Sequence, residues 1–352
     1  MSRSTLVKAG GLTVLLAVMA VFPLVFTNPS VTEFGVLTMF FIAVSSSWNT
    51  FSGYSGYVSL GSAVFFGSGA YLLGLLAEHW HMSGFTVFAL VPLAGVLAGA
   101  IAIPFGLIAL RVRRHTFVVI TIAVFFIFQL MAFDLSFTGG SQGVIAPPIS
   151  LSPSTFNDPF YYIGFAIAVG VVVMSVLIRR SRFGLRLLAI RDDEDRARGL
   201  GVPVTRIKLT SFVVSAIPIG MIGAVWMFFI GQVLPQYGFD PNFDLTVALM
   251  AFLGGFGTVS GPVLGAMIVE PLQQWMTLQF TNNDLSLIVN GALFLAVILL
   301  LPRGIIPTAA ERIKKLRASR QASPPKAGTE RRQAPSGVAH EAGVAPRGGS
   351  AS

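Results

Sequence analysis

The chain has 352 residues, of which 54% are hydrophobic and 11% are charged, and its formal net charge is +9. Soluble globular proteins contain about 25% charged residues, so this composition excludes a soluble enzyme and a disordered scaffold as descriptions of the whole chain. Cysteine is absent, which excludes a disulfide framework, a thiol nucleophile and a cysteine-ligated metal site. The sequence therefore predicts an all-α integral membrane protein.

Apolar runs in the sequence predict eight to ten transmembrane helices. A hydrocarbon core about 30 Å thick requires roughly 20 mostly apolar residues per helix. The first run follows Arg3 and Lys8, as a signal peptide would, but it lacks a small-residue cleavage site, so we predict a retained helix. The short eighth run ends in a glycine-rich segment, which is typical of a half-helix or re-entrant segment buried in protein. The runs cover residues 10–27, 31–51, 57–77, 84–110, 115–137, 159–178, 206–231, 243–257, 262–280 and 285–301.

The basic residues predict the sidedness of these spans. When the N-terminus is placed in the cytoplasm and ten spans alternate, all 24 lysines and arginines fall on the cytoplasmic side, as the positive-inside rule requires. The predicted outer loops at 78–83, 138–158 and 232–242 contain none. We therefore predict that both termini are cytoplasmic. The positive net charge is then explained by the topology and by contact with anionic lipids rather than by binding of nucleic acid.

The sequence is divided into three parts by composition. Residues 1–306 form the predicted transmembrane domain, with a cytoplasmic loop at 179–205. Residues 307–317 predict a basic helix on the membrane surface. Residues 318–352 are rich in Ala, Ser, Pro, Gly and Arg without apolar periodicity, which predicts a disordered cytoplasmic tail.

Motifs for catalysis and nucleotide binding are scarce. Without a Gly-Lys dipeptide the chain has no Walker A loop. His79 and His81 flank Trp80 in a predicted outer loop, but only Glu78 offers a further ligand, so we interpret them as solvated loop residues rather than a metal site. The sequence predicts that the chain is not an enzyme and binds no metal or cofactor itself.

Glu270 is the acidic residue that lies deepest in a predicted span, and it is followed by Pro271. Intramembrane carboxyl groups often mark substrate or ion pathways. Two interpretations stay open: Glu270 lines a polar pathway, or its carboxyl is satisfied by backbone groups freed at Pro271 or is held protonated.

Small residues are concentrated between positions 53 and 69. Their spacing suits close packing of helices, and glycines before a helix also permit a broken helix whose free amide groups bind substrate. Both interpretations stay open. In the second, Tyr54, Ser55, Ser59 and Ser62 border the substrate pathway. The glycines with a predicted structural role are Gly53, Gly56, Gly61, Gly67, Gly69, Gly254, Gly255 and Gly257.

The loop at 179–205 contains a predicted short helix. Asp192 is its expected N-cap, and acidic residues follow in the first turn. Gly201 suits a left-handed helix end, and Pro203 prevents extension. This helix is interpreted either as a solvated surface element or as a docking element for a cytoplasmic partner.

Several motifs resemble those of the LivM-type permease subunits of branched-chain amino acid ABC importers. They are GYSGYVSLGSAVFFGSGAY at 53–71, TGGSQG at 138–143, SRFG at 181–184, AIRDDE at 189–194, LGV at 200–202, LGGFG at 253–257, GPVLG at 261–265 and LPRG at 301–304. The resemblance spans roughly residues 30–306.

This resemblance implies a ten-helix, type II importer fold, with a coupling helix that docks into an ATP-hydrolysing subunit. It implies two ABC ATPase subunits that bind ATP and Mg, a second permease subunit (a different chain or a second copy) and an extracytoplasmic binding protein. Ser62 and Tyr57 differ from the residues that are frequent in the family, which leaves urea, amides or other amino acids open as substrates. A secondary carrier or channel is the remaining alternative. The residues assigned to coupling are Arg191, Asp192, Asp193, Glu194, Ala197, Arg198 and Gly201.

Overall fold

The computed structural model describes residues 19–26, 28–149, 151–152, 155–279, 291–292, 295, 304–306 and 308. This part of the chain is almost entirely helical, and residues 19–25 are helical as well. The α-helices that follow are α1 (Pro29–Ser55), α2 (Ser62–His79), α3 (Val91–Ala109), α4 (Arg114–Asp134), α5 (Asn157–Arg180), α6 (Arg182–Asp192), α7 (Glu194–Gly199), α8 (Val204–Ile230), α9 (Pro235–Gly238), α10 (Pro241–Gly255) and α11 (Gly261–Gln279). Short 3-10 helices cover Gly84–Leu90, Ser136–Thr138 and Gly140–Gln142, and the strands are β1 (Val144–Ile145) and β2 (Gln232–Val233).

Eight of the ten predicted spans correspond to helices of the described part. Five helical segments there are long and apolar enough to cross a membrane: α1, the segment Gly84–Ala109 that ends with α3, α4, α5 and α8. The shorter helices α2, α10 and α11 correspond to the third, eighth and ninth predicted spans. These helices confirm the all-α membrane class. Most of the predicted spans at 10–27 and 285–301, the surface helix at 307–317 and the tail at 318–352 lie outside the described residues.

One predicted boundary is wrong: the span expected at 57–77 begins as helix α2 only at Ser62. Helix α1 ends at Gly56, whose φ of +75° is a left-handed conformation that ends the helix, and its amide donates to the Ser52 carbonyl. The intervening residues 57–61 are not helical. Residues 57–61 therefore form a short non-helical break between α1 and α2.

Helices α1 and α8 form the centre of the bundle. Of their apolar segments 67% is buried, against 22% in α4, whose exposed Val119 and Leu130 are suited to contact with lipid. On α8, the Phe212 ring packs at steep angles against Phe51 of α1 and Phe65 of α2, with centroid distances of 4.9 and 5.2 Å. Such edge-to-face pairs add about 0.5–1.5 kcal/mol each beyond area burial.

Helices α2 and α8 approach each other closely at two glycines. A Cβ atom at Gly69 would overlap the carbonyl of Gly220. Only glycine allows this backbone contact, as at other helix pairs built on small residues.

Loops from the same predicted side meet at the same end of the bundle. Strands β1 and β2 pair antiparallel with Val144 opposite Val233, which joins the predicted outer loops 138–158 and 232–242. At the other end, Arg114 donates to the carbonyl of Ile190 (2.8 Å), which joins two loops predicted to be cytoplasmic. The orientation of these ends relative to the cytoplasm stays a prediction.

Candidate functional site

The loop between α5 and α8 contains two helices where the sequence predicted one. Helix α6 starts after Ser181, whose side chain accepts from the amide of Gly184 at 3.2 Å. The N-cap prediction for the second helix, α7, is wrong by one residue. Asp192 still belongs to α6, whereas extended Asp193 caps α7 by accepting from the amide of Arg196 at 3.0 Å. The left-handed conformation expected at Gly201 is present, with a φ of +82°.

A small apolar cluster holds α7 against the membrane helices. Ala197 of α7 is only 3% exposed and belongs to a cluster with Tyr54 at the end of α1. The other buried members are Leu187, Ile190, Val204 and Ile207. The spacing of the apolar residues at 187 and 190, after a serine N-cap, was the sequence signal for the unpredicted helix α6. Ala197 and Tyr54 therefore belong to the same packed cluster, which connects α7 to the end of α1.

A polar network links α7 to the break between α1 and α2. The hydroxyl of Tyr57, in the break, donates to Glu194 of α7. The ammonium group of Lys208, on α8, donates to Tyr57 at 3.0 Å and to Glu194 at 3.1 Å. The Lys208 nitrogen also lies 4.1 Å from the centre of the Tyr57 ring, within the range of a cation–π interaction.

This network stabilises the charged form of Glu194. Burial would raise the pKa of its carboxyl, but hydrogen bonds from Tyr57 and Lys208 and the charges of Lys208 and Arg198 outweigh burial and lower the pKa. Lys208 is 2% exposed, and a buried ammonium group requires such partners. Neither Tyr57 nor Lys208 was predicted from the sequence as a site residue, although a lysine inside the predicted span 206–231 was a usable signal.

Two arginines of the α5–α6 region bind the backbone at two glycine-rich helix ends. Arg191 donates to the carbonyl of Gly53 at 2.7 Å, and Arg179 donates to the carbonyl of Gly257. Gly257 has a φ of +75°, and a Cβ atom there would overlap the Arg191 guanidinium. The amide of Gly257 also donates to the side chain of Asn49 at 2.8 Å. The two glycine-rich segments, distant in sequence, thus meet beneath the charged loop.

A groove of 630 Å³ lies beside α7. Both signs of charge line it, including Arg113 and Arg114 at the start of α4 and Asp192, Asp193 and Asp195 from the α6–α7 region. Arg198 also lines the groove and forms an ion pair with Glu194 at 3.1 Å. All seven residues assigned to coupling therefore lie in this loop, around α7.

The four predicted pathway residues of the α1–α2 segment are buried within the described part of the chain. Tyr54 forms a hydrogen bond of 2.7 Å with the hydroxyl of Ser175, and Ser55 accepts from the amide of Tyr57. The carbonyl of Ser59 accepts from the indole of Trp48 at 2.8 Å. None of the four lines the 310 Å³ cavity described below, so in this conformation they form the internal structure of the break.

Asp244 is a buried residue that the sequence analysis missed. It is 2% exposed, and its carboxylate accepts from the amides of Ser62 (2.8 Å) and Ala63 (3.3 Å) at the start of α2. A carboxylate at a helix N-terminus satisfies free amides and interacts favourably with the helix dipole. Its position inside the predicted span 243–257 was the available signal.

The predicted structural glycines lie at close contacts or in turns. Gly56, Gly255 and Gly257 have positive φ angles. A Cβ atom would come within 3.0 Å of another atom at the remaining positions, which are Gly53, Gly61, Gly67, Gly69 and Gly254. Packing is therefore sufficient to explain glycine at these five positions.

Glu270 lies apart from the charged loop. It is 2% exposed, accepts from the side-chain amide of Gln274 at 3.0 Å and lines a cavity of 310 Å³. In the described part of the chain, no group of three or more His, Cys, Asp or Glu residues is arranged to hold a metal ion.

The apolar helices and the bundle that they form define a multi-pass membrane protein. Residues 30–298 match the family described as "Branched-chain amino acid transport system / permease component". The chain belongs to this family, which confirms the resemblance drawn from the motifs. It is a multi-pass permease component of an ABC importer, and an inner-membrane location agrees with this family.

Individual relatives include permeases for amino acids and for sugars. The chain is 27% identical over 330 residues to the "High-affinity branched-chain amino acid transport system permease protein LivM" of Salmonella typhimurium, covering 85% of this chain and 75% of that protein. It is 28% identical over 212 residues to the "L-arabinose ABC transporter permease protein AraH" of Azospirillum brasilense, covering 58% and 61%. It is 25% identical over 185 residues to the permease protein LivH of Escherichia coli, covering 49% and 58%. No solved structure matches the chain.

Proposed function

We propose that the chain is the membrane-spanning permease subunit of an importer that carries branched-chain or related amino acids inward across the bacterial inner membrane. ATP hydrolysed by two separate ATPase subunits drives the transport. A second permease subunit completes the membrane pathway, and an extracytoplasmic binding protein delivers the substrate. The likeness to LivM over most of the chain supports the amino acid substrate, and the likeness to LivH supports the second permease.

The packing of α7 is the observation that carries the coupling proposal. An ATPase subunit that moves α7 would disturb the cluster that contains Ala197 and Tyr54 and would pull on the bonds from Glu194 to Tyr57 and Lys208. Both routes lead from the loop to the break between α1 and α2. Such a transmission requires discrete contacts of this kind between the site that moves and the site that responds.

Uptake by the reconstituted importer tests this function. We expect the chain, assembled with its partner permease, ATPase and binding-protein subunits, to accumulate radiolabelled leucine in proteoliposomes only when ATP is present. Omission of this chain is the control and should abolish uptake. ATP-driven uptake of arabinose instead of leucine would assign the chain to the sugar carriers of the family, and leucine uptake without ATP would indicate a secondary carrier.

A further inference from the structure

A second cavity lies at the end of the bundle that carries β1 and β2. Its volume is 310 Å³, and α1, α8, α10 and α11 supply most of its lining residues. Tyr237 and Asp240, which follow β2 in the chain, belong to the lining. Since the sequence predicts that this end is the outer one, the cavity lies towards the side on which an importer receives its substrate.

The walls of this cavity are aromatic. The Phe66 ring lies 4.4 Å from that of Phe243 and 5.2 Å from that of Trp226, measured between centroids, and all three residues line the cavity. Aromatic faces accept apolar groups and attract cations. The cavity is therefore suited to a ligand with an apolar body.

A buried acid lies among these walls. Glu270, in the middle of α11, is 2% exposed, and Asp240 adds a second carboxyl group to the lining. Among the described residues that line the cavity there is no lysine, arginine or histidine. The amide of Gln274 donates one hydrogen bond to Glu270, but a neutral amide cannot compensate a negative charge.

This excess of negative charge favours a ligand that carries a positively charged group. A carboxylate away from water is costly unless a cation pairs with it, so a ligand with an ammonium group stabilises ionised Glu270 where a neutral ligand does not. The apolar body of the same ligand would pack on Phe66, Trp226 and Phe243. A neutral sugar would bind through its hydroxyl groups but would leave the charge of Glu270 uncompensated.

We propose that this cavity binds the transported substrate as it enters from the outer side, and that Glu270 recognises the substrate's amino group. The inference rests on the proposed function and deepens it, because it names a residue that distinguishes amino acids from the sugars carried by relatives such as AraH.

Chemical modification of Glu270 tests the inference without transport. The full-length chain, assembled with its partner subunits in lipid nanodiscs, is treated with dicyclohexylcarbodiimide, which modifies buried carboxyl groups, and modification is followed by peptide mass spectrometry. The probes are leucinamide, 4-methylpentanamide (the same molecule without the amino group) and arabinose. We expect leucinamide, at about ten times its Kd, to slow modification of Glu270 by about tenfold, and the two neutral probes to have little effect.

Asp244 provides the internal control for this experiment. It is buried like Glu270 but is hydrogen-bonded to the amides that begin α2, so no probe should change its modification. Equal modification of Glu270 with and without leucinamide would overturn the inference. Equal protection by 4-methylpentanamide would also overturn it, because the amino group would then be irrelevant.

A variant tests the same residue during transport. Glu270→Gln keeps the shape and the hydrogen-bonding capacity but removes the charge, and we expect at least about tenfold weaker half-saturation for leucine, with assembly unchanged. The matched control is Glu33→Gln, an exposed acid on α1, which should behave like the wild type. Wild-type kinetics in Glu270→Gln would contradict the inference alone. An absence of ATP-driven uptake in the wild type would contradict the proposed function, while the modification experiment would still decide the inference.

Discussion

Lys208 is the residue at which the charged loop, the α1–α2 break and a central helix share polar contacts. Its ammonium group reaches Glu194 of α7 and Tyr57 of the break from a position on α8. Because the lysine is buried, it cannot exchange these partners for water without moving. A change in the position of α7 is therefore expected to alter the environment of both Tyr57 and Lys208.

Removal of the Lys208 charge should destabilise the chain. Lys208→Met leaves Glu194 without its buried cation, and we expect a loss of about 1–3 kcal/mol, seen as a lower Tm of the purified chain in detergent. The double variant with Glu194→Gln should lose less than the sum of the single losses, because the two residues interact. Arg206→Met, at an exposed position of α8, is the control. Additive losses, or a loss no larger than that of Arg206→Met, would show that the pair is not coupled.

Several important residues could not be assigned from the sequence, because their roles depend on partners far along the chain. Asp244 caps a helix that starts 182 positions earlier, and Tyr57 meets Glu194 across 137 positions. Composition and spacing are local signals and do not show such pairs. Glu270 could be singled out because an acid in an apolar span is unusual by itself.

At the scale of elements, α7 is a six-residue helix that depends on its surroundings. Isolated helices shorter than about 12–15 residues are marginal in water. The N-cap at Asp193 and the packing of Ala197 against residues of α6 and α8 provide stability that a helix of this length lacks by itself. The element is therefore held rigidly against the membrane helices, as an element that transmits motion must be.

A bulky residue at position 197 should separate transport from ATP hydrolysis. Ala197→Trp overfills the cluster with Tyr54, Leu187 and Ile190, at a cost of about 1–3 kcal/mol, and should displace α7. We expect the variant to reach the membrane but to lose substrate-stimulated ATPase activity in the reconstituted importer. Ala189→Trp, at an exposed position on α6, is the control. Normal coupling in Ala197→Trp would remove α7 from the pathway of transmission.

The sequence predicted which elements exist better than it predicted where they begin. Apolar runs of about 20 residues indicate spans directly, and eight of these correspond to described helices. The start of α2 at Ser62 was missed because residues 57–61 include apolar side chains that resemble the helix that follows. The cap at Asp193 was missed because four acidic residues stand in succession at 192–195, and local preference does not distinguish between them.

At the scale of the whole molecule, the two ends of the bundle differ in charge and in construction. One end gathers the loops around β1 and β2, and the other gathers the arginines around α6 and α7. The basic residues of the sequence predicted which loops lie at the same end of the bundle. This was possible because the positive-inside rule depends on the charges of the loops and not on their tertiary contacts. The contact between the two glycine-rich segments at the basic end was not predicted from the sequence and is seen only in the structure.

Single cysteines test the sidedness. The chain contains no cysteine, so Ser83→Cys and Leu200→Cys each introduce one thiol at an exposed position. An impermeant maleimide added to intact cells should label position 83 and not position 200, with labelling of both in opened membranes as the control. Labelling of position 200 in intact cells would reverse the predicted topology.

We propose that α7 and the residues after it receive the motion of an ATPase subunit. A substitution at Leu200 tests this directly. Its side chain follows α7 and is 86% exposed, so Leu200→Asp changes a contact surface without disturbing the core. Co-purification of the ATPase subunits and ATP-driven leucine uptake are measured for this variant and for Ala189→Asp, which adds the same charge at an exposed site on α6. We expect Leu200→Asp to lose ATPase co-purification and leucine uptake together, and Ala189→Asp to retain both. Full ATPase retention and wild-type uptake in Leu200→Asp would contradict it.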